Sequence, residues 1–108
     1  MVHFHVTSTR NRESIARHGL DWNYMGAARG IAGSSRPEQQ GCFLAASAHE
    51  RDWFVQMNNT GGNVDVWEVQ GIKYTDLVES PQGFYFYPGV IDASKLRLVQ
   101  RDLPPANL

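Results

Sequence analysis

Phe4-His5-Val6-Thr7-Ser8, with Gly19-Leu20 eleven residues further on, is the stretch whose reading decides the fold. Residues 2–6 alternate around apolar positions and read as a short strand, with one imidazole at its centre. Thr7 and Ser8 then open a polar turn. Residues 10–18 read as a helix with Ile15 and Ala16 on its apolar side. Gly19 is expected to take the left-handed position that ends this helix, with Leu20 folding back on Ile15 in a Schellman-type stop. A strand, a turn and a helix start in this order place His5 in a cleft beside helix N–H groups. That is a natural seat for a phosphate-bearing ligand.

Working outward, residues 23–40 hold three glycines, one proline and several serines and glutamines and read as one long loop, which in a small domain is usually functional or mobile. Cys42-Phe43-Leu44-Ala45-Ala46 reads as a buried strand. Ser47-Ala48-His49-Glu50 has the spacing of a capping box, and the helix it opens should run to about Met57 with Trp53, Phe54 and Met57 on one side. Asn58 to Asn63 reads as a turn. Val64-Asp65-Val66-Trp67-Glu68-Val69 alternates strictly, which sets Val64 and Val66 on one face and Asp65, Trp67 and Val69 on the other without saying which face is buried. Phe84-Tyr85-Phe86-Tyr87 reads as a strand closed by Pro88-Gly89, and Lys95 to Val99 as the last strand. The segment from Asp102, with Pro104-Pro105, is expected to fray. The sum is an α+β domain of four or five short strands and two helices, spanning residues 1–101 with a tail at 102–108.

The bulk numbers fit this. A chain of 108 residues, 42% hydrophobic and 19% charged, holds one core. A net charge of −1 argues against a binder of nucleic acid driven by charge alone. A single cysteine, Cys42, excludes an internal disulfide and fits a reducing, cytoplasmic setting. His3, His5 and Arg10 interrupt the N-terminal region, so no signal peptide is expected, and no apolar run is long enough to span a bilayer. An aromatic content of 11% suggests a stacking pocket in addition to a core.

Several side chains carry candidate chemistry. The His5 imidazole can donate at one nitrogen and accept at the other, which suits a ribose hydroxyl; its plain reading is a core histidine satisfied by main chain. His3 shares its strand face, but a metal site needs a third ligand, and neither Cys42 nor His49 can be placed near the pair from spacing alone, so no metal is expected. Thr7, Ser8 and Arg10, with Arg12, are suited to an anion, or else to ordinary capping and solvent. Arg29 lies in a glycine-rich run, Arg29-Gly30-Ile31-Ala32-Gly33, that could wrap a phosphate but matches neither a P-loop nor a dinucleotide fingerprint. Glu79 and Gln82 precede the aromatic strand, where a carboxylate could hold a ribose or activate a nucleophile. Asp65 and Glu68 read as solvated residues or halves of ion pairs. Cys42, in an apolar strand, reads as core.

Taken in order, these pieces resemble the ADP-ribosyltransferase superfamily. Phe4 to Ser8 with Ile15 and Gly19-Leu20 is similar to the opening strand and helix of its small members and of the RNA 2′-phosphotransferases. Gly41-Cys42-Phe43-Leu44-Ala45-Ala46-Ser47 resembles the Gly-x-Tyr-Phe strand of the poly(ADP-ribose) polymerase-like members. Phe84 to Ile91, continuing to Leu98-Val99, resembles the strand carrying the last catalytic position and the closing strand. The resemblance covers residues 3–99 and implies a compact fold of split β-sheets with NAD as co-substrate. From the family's His-Tyr-Glu triad, the histidine falls on His5, the tyrosine on Phe43, which keeps stacking without the hydroxyl, and the glutamate on or beside Gln82, with Glu79 three residues upstream. It further implies that His5 holds the adenosine ribose and that Phe43, with Trp53 or Tyr85, sandwiches nicotinamide. Thr7, Ser8, Arg10, Arg29 and Ser47 line the rest of the site, and Glu79 or Gln82 stabilises the oxocarbenium-like ribose.

The implied activity is mono-ADP-ribosyl transfer to an unidentified acceptor, which is a protein, a nucleic acid or a small molecule. Departures of this kind occur in the rifamycin-modifying and other divergent members, and they weigh against chain extension. Three other readings stand beside it. One is removal of an RNA 2′-phosphate with NAD. Another is a non-catalytic module that binds NAD, a nucleotide or a protein with a decayed site. The third is a small toxin held in check by a neutralising protein partner.

Overall fold

The computed structural model describes residues 2–21, 42–57, 62–81 and 83–104. The long loop expected over residues 23–40 lies outside the described residues, as do positions 58–61 of the expected turn. Six strands and two helices make up the described chain: β1 (His3–Ser8), α1 (Arg12–His18), β2 (Cys42–Phe43), α2 (Ala48–Met57), β3 (Val64–Val69), β4 (Val78–Glu79), β5 (Tyr85–Tyr87) and β6 (Leu96–Leu103). Single turns of 3-10 helix at Thr9–Asn11, Tyr74–Asp76 and Ala93–Lys95 link some of them. The architecture is α+β: two antiparallel three-stranded sheets, one in the order β1-β3-β6 and the other β2-β5-β4.

The first sheet is built around β3, which pairs with β1 from His3↔Val69 to Ser8↔Val64 and with β6 on its other edge. Val64, Asp65, Val66, Trp67 and Val69 are all buried, because β3 is the central strand and both of its faces are covered. The strict alternation therefore marks two inward faces. β1 is longer than expected, since Thr7 and Ser8 continue the ladder with Asp65 and Val64. β6 likewise carries on through Asp102 and Leu103, where fraying was expected.

Asp65 explains that extension. Its side chain is fully buried and accepts two hydrogen bonds from Arg12, from Nε at 2.8 Å and from Nη2 at 2.7 Å, and a third from the Asp102 main-chain N–H at 3.0 Å. Arg12 also meets the Asp102 carboxylate at 3.0 Å. One buried carboxylate thus ties the start of α1 to the central strand and to the end of β6. Burial alone pushes the Asp65 carboxyl up; the bonds from Arg12 and Asp102 outweigh it and hold the group below the usual carboxylate range. Of the two sequence readings for Asp65, the ion pair is realised and the solvated face is not. Arg12, considered as an anion fork, is committed to this network.

The helix stop also differs from expectation. Gly19 has φ of 76° and its N–H bonds to the Ile15 carbonyl at 2.8 Å, as a terminating glycine should. Leu20 does not turn its N–H back to the helix. It pairs with Ile91 through two main-chain bonds of 2.9 and 3.1 Å. A tertiary strand partner displaces the local Schellman bond, and both side chains are buried in the same core as Ile15.

That core lies between the sheets. Ile15, Leu20, Cys42, Leu44, Trp67, Val69, Ile72 and Ile91 form it, with Tyr87, Leu96 and Leu98 packed against it. Cys42 is core as expected, and burial pushes its thiol up to about 12, helped by Asp21. A second, aromatic cluster sits under α2, whose Phe54 is buried while Met57 is 44% exposed.

Two substitutions test this account. Asp65→Ala is expected to lower unfolding free energy by about 3 kcal/mol, the scale for breaking a buried pair, in urea titrations followed by circular dichroism. A Cβ on Gly19 would collide with the Ile91 carbonyl oxygen in a backbone conformation that favours glycine. Gly19→Ala should therefore cost about 2–3 kcal/mol in the same titrations, whereas an open glycine such as Gly62 should tolerate alanine.

Candidate functional site

The two sheets meet where β1 runs beside β2. Phe4 and Ala45 exchange main-chain hydrogen bonds of 2.8 and 2.7 Å. A continued antiparallel ladder would next pair Val6 with Phe43. Instead the strands part, and the Phe43 carbonyl accepts from His5 Nδ1 at 2.9 Å. This bond fixes the tautomer: Nδ1 carries the proton and Nε2 is left as an acceptor. His5 is 7% exposed, and its Nε2 has no hydrogen-bond partner among the described residues. Burial lowers the imidazole's proton affinity and the Phe43 bond opposes it, so the ring is neutral at physiological pH.

His5 does not stand alone on its face. His3, two residues back, is 0% exposed and both its ring nitrogens lack partners among the described residues. Trp67 is the direct cross-strand partner of His5, and its indole Nε1 is also buried without a partner. Buried polar atoms in folded proteins are nearly all satisfied, so a row of them is a feature that needs a cause. Sequence reading singled out His5 and considered His3, but did not find Trp67. The signal was there in the alternation of residues 64–69; what was missing was the register that sets Trp67 opposite His5. The described residues contain no group of three or more potential metal ligands.

Phe43 lies on the other face of its sheet, in register with Phe86. Its ring is 5.9 Å from Phe86 and 6.3 Å from Phe84, both edge-on, and Phe84 in turn stacks at 5.1 Å on Trp53 and 5.3 Å on Phe54. Phe43 and Trp53 therefore belong to one aromatic cluster, joined through Phe84. Tyr85 does not belong to it. The two-residue period of β5 turns Tyr85 to the opposite face, where its ring packs at 4.9 Å on Tyr74. The expected pairing of Phe43 with Tyr85 is corrected on that ground. Glu79 is exposed on the edge strand β4, directly across from Tyr85. The Tyr85 hydroxyl is raised to about 12, first by its bond with Tyr74, then by burial and by the charges of Glu79 and Glu50. Tyr74, Tyr85, Glu79 and Glu50 form a phenol and carboxylate cluster at this edge.

The remaining candidates have local partners. Thr7 is buried and its Oγ1 accepts from Asn11 Nδ2 at 2.9 Å. Ser8 Oγ accepts from the Arg10 N–H at 3.2 Å, which makes it the cap of the turn 9–11, on which Arg10 is exposed. Ser47 Oγ accepts from the Glu50 N–H at 3.1 Å, while the Glu50 carboxylate takes the Ala46 N–H at 3.0 Å, so the capping box forms with its return arm one residue early. Arg29 and Gln82 lie outside the described residues. No helix among the described residues is long and apolar enough to cross a membrane. The chain matches no family model, no curated protein and no solved structure.

Stability should report the buried imidazoles. The folded chain holds the protons of His3 and His5 more weakly than the unfolded chain, whose imidazoles titrate near about 6.5. Below that value the unfolded state binds protons that the folded state refuses, so stability is full above it and falls as pH drops. The thermal midpoint is expected to be lower at pH 5.5 than at pH 7.5, and His3→Leu should flatten part of that slope. Asp65 contributes to a separate and more acidic loss, because its folded value lies below the ordinary carboxylate range.

Proposed function

We propose that this domain binds NAD+ and transfers its ADP-ribose to an acceptor, as a small, divergent relative of the ADP-ribosyltransferases with the split-sheet architecture of that group. The observation that carries the reading is the state of His5: a neutral imidazole at the parting of two sheets, locked by Phe43 so that a buried acceptor nitrogen faces inward with no partner among the described residues. A ribose hydroxyl supplies the donor that nitrogen lacks. In this reading Phe43, with the Trp53 and Phe84 rings behind it, offers an apolar wall for the nicotinamide. In this reading the Glu79 carboxylate, exposed on the edge strand β4, stabilises positive charge on the ribose carbon as nicotinamide leaves.

A second reading keeps the binding and drops the transfer. Phe43 is packed among aromatic neighbours and carries no hydroxyl, which favours a ligand-binding module with an eroded reaction centre. The net charge of −1 favours neither reading but weighs against the RNA 2′-phosphate one.

The deciding experiment is nicotinamide release from NAD+ by the purified protein. The intact chain is expected to release it. His5→Ala should cut the rate by at least about tenfold, and Glu79→Ala, at an exposed position, by about a hundredfold without loss of fold. Binding of NAD+ without release in any variant would favour the module, and absence of both would overturn the proposal.

A further inference from the structure

His5 Nε2 and Trp67 Nε1 are complementary. The first is an acceptor, because Nδ1 donates to Phe43. The second is a donor only. The two residues are direct partners in the β1–β3 ladder, so their side chains leave the same face of the sheet from Cα atoms roughly 5 Å apart. Both nitrogens are buried and neither has a partner among the described residues. The indole and the imidazole do not bond to each other, so a hydrogen bond to either nitrogen would come from another group.

The chemistry of that group follows from the pair. It must accept from the indole and donate to the imidazole. A carboxylate or phosphate oxygen satisfies Trp67 and leaves His5 facing a lone pair. An ammonium or guanidinium satisfies His5 and leaves the indole N–H unmet. A hydroxyl meets both at one oxygen. We infer that His5 and Trp67 form a two-point clamp for a single hydroxyl, and that Trp67 is a ligand-binding residue of this domain in addition to a core residue. This deepens, and rests on, the proposal that the site takes NAD+, whose riboses supply such a hydroxyl. Water carries the same hydroxyl chemistry, and the measurement separates the two sources.

The test is NAD+ affinity, by calorimetry, of the intact chain and of Trp67→Phe, which keeps an aromatic ring and removes only the N–H. The expected result is a Kd about tenfold higher in the variant, the size of one hydrogen bond between neutral groups. An NAD+ analogue lacking the clamped ribose hydroxyl should bind the intact chain about tenfold more weakly and show no further loss in Trp67→Phe. Since Trp67 also fills the core, the intact chain gives an independent readout: its Trp67 indole N–H proton should shift downfield and exchange more slowly when NAD+ is added. Unchanged affinity in the variant with an unmoved indole signal overturns the clamp while leaving NAD+ binding standing. If affinity is unchanged but the ligand-free variant melts lower, Trp67 is a packing residue only and the ligand assignment is overturned. Failure of the intact chain to bind NAD+ at all removes both this inference and the function it rests on.

Discussion

The pair of main-chain hydrogen bonds between Phe4 and Ala45 is the hinge on which the described structure turns. It joins the β1-β3-β6 sheet to the β2-β5-β4 sheet, and the strands separate immediately after it. Were the ladder to continue, β1 and β2 would merge into one sheet and the Phe43 carbonyl would be consumed by Val6. Because they part, that carbonyl is free to take the His5 ring, and the inner faces of both sheets close on a common core. The candidate site is thus a consequence of where pairing stops.

A second constraint, within the first sheet, is Asp65. Its carboxylate sits in the central strand with three hydrogen bonds from two directions, so α1 and the end of β6 are held against β3 at once. A buried charge is an uncertain source of net stability, but its geometry is demanding. It holds α1 and the end of β6 on β3, the strand that carries Trp67. The Leu20–Ile91 bridge serves the same end at the foot of the helix.

The site has two chemically different sides. The interior side carries neutral ring nitrogens from His3, His5 and Trp67 in an apolar setting, where a hydrogen bond to a ligand is strong and an unmet one is costly. The edge carries phenols and carboxylates from Tyr74, Tyr85, Glu79 and Glu50. Under the proposed function the neutral ring nitrogens would meet a sugar's hydroxyls and the carboxylates its developing positive charge, which favours transfer from NAD+ over phosphate chemistry.

How much of this was legible in the chain varies by residue for physical reasons. The α+β class, the helix Ala48–Met57, the strand Val64–Val69, the capping role of Ser47 and the burial of Cys42 follow from local rules of periodicity and capping that operate over a few residues. His5 was legible as a candidate because a histidine within an apolar strand is unusual. What local rules cannot supply is pairing. The burial of Asp65 depends on Arg12 and Asp102, 53 residues before it and 37 after it. The destination of the Leu20 N–H depends on Ile91, and the separation of Tyr85 from Phe43 depends on which face of β5 meets the core. Sequence by itself determined the kinds of element and the residues able to carry chemistry, since both are set by side-chain type and spacing. Only the tertiary structure decided which of those residues meet, because a strand's register and a buried group's partner are chosen by long-range contacts that no short window of sequence contains.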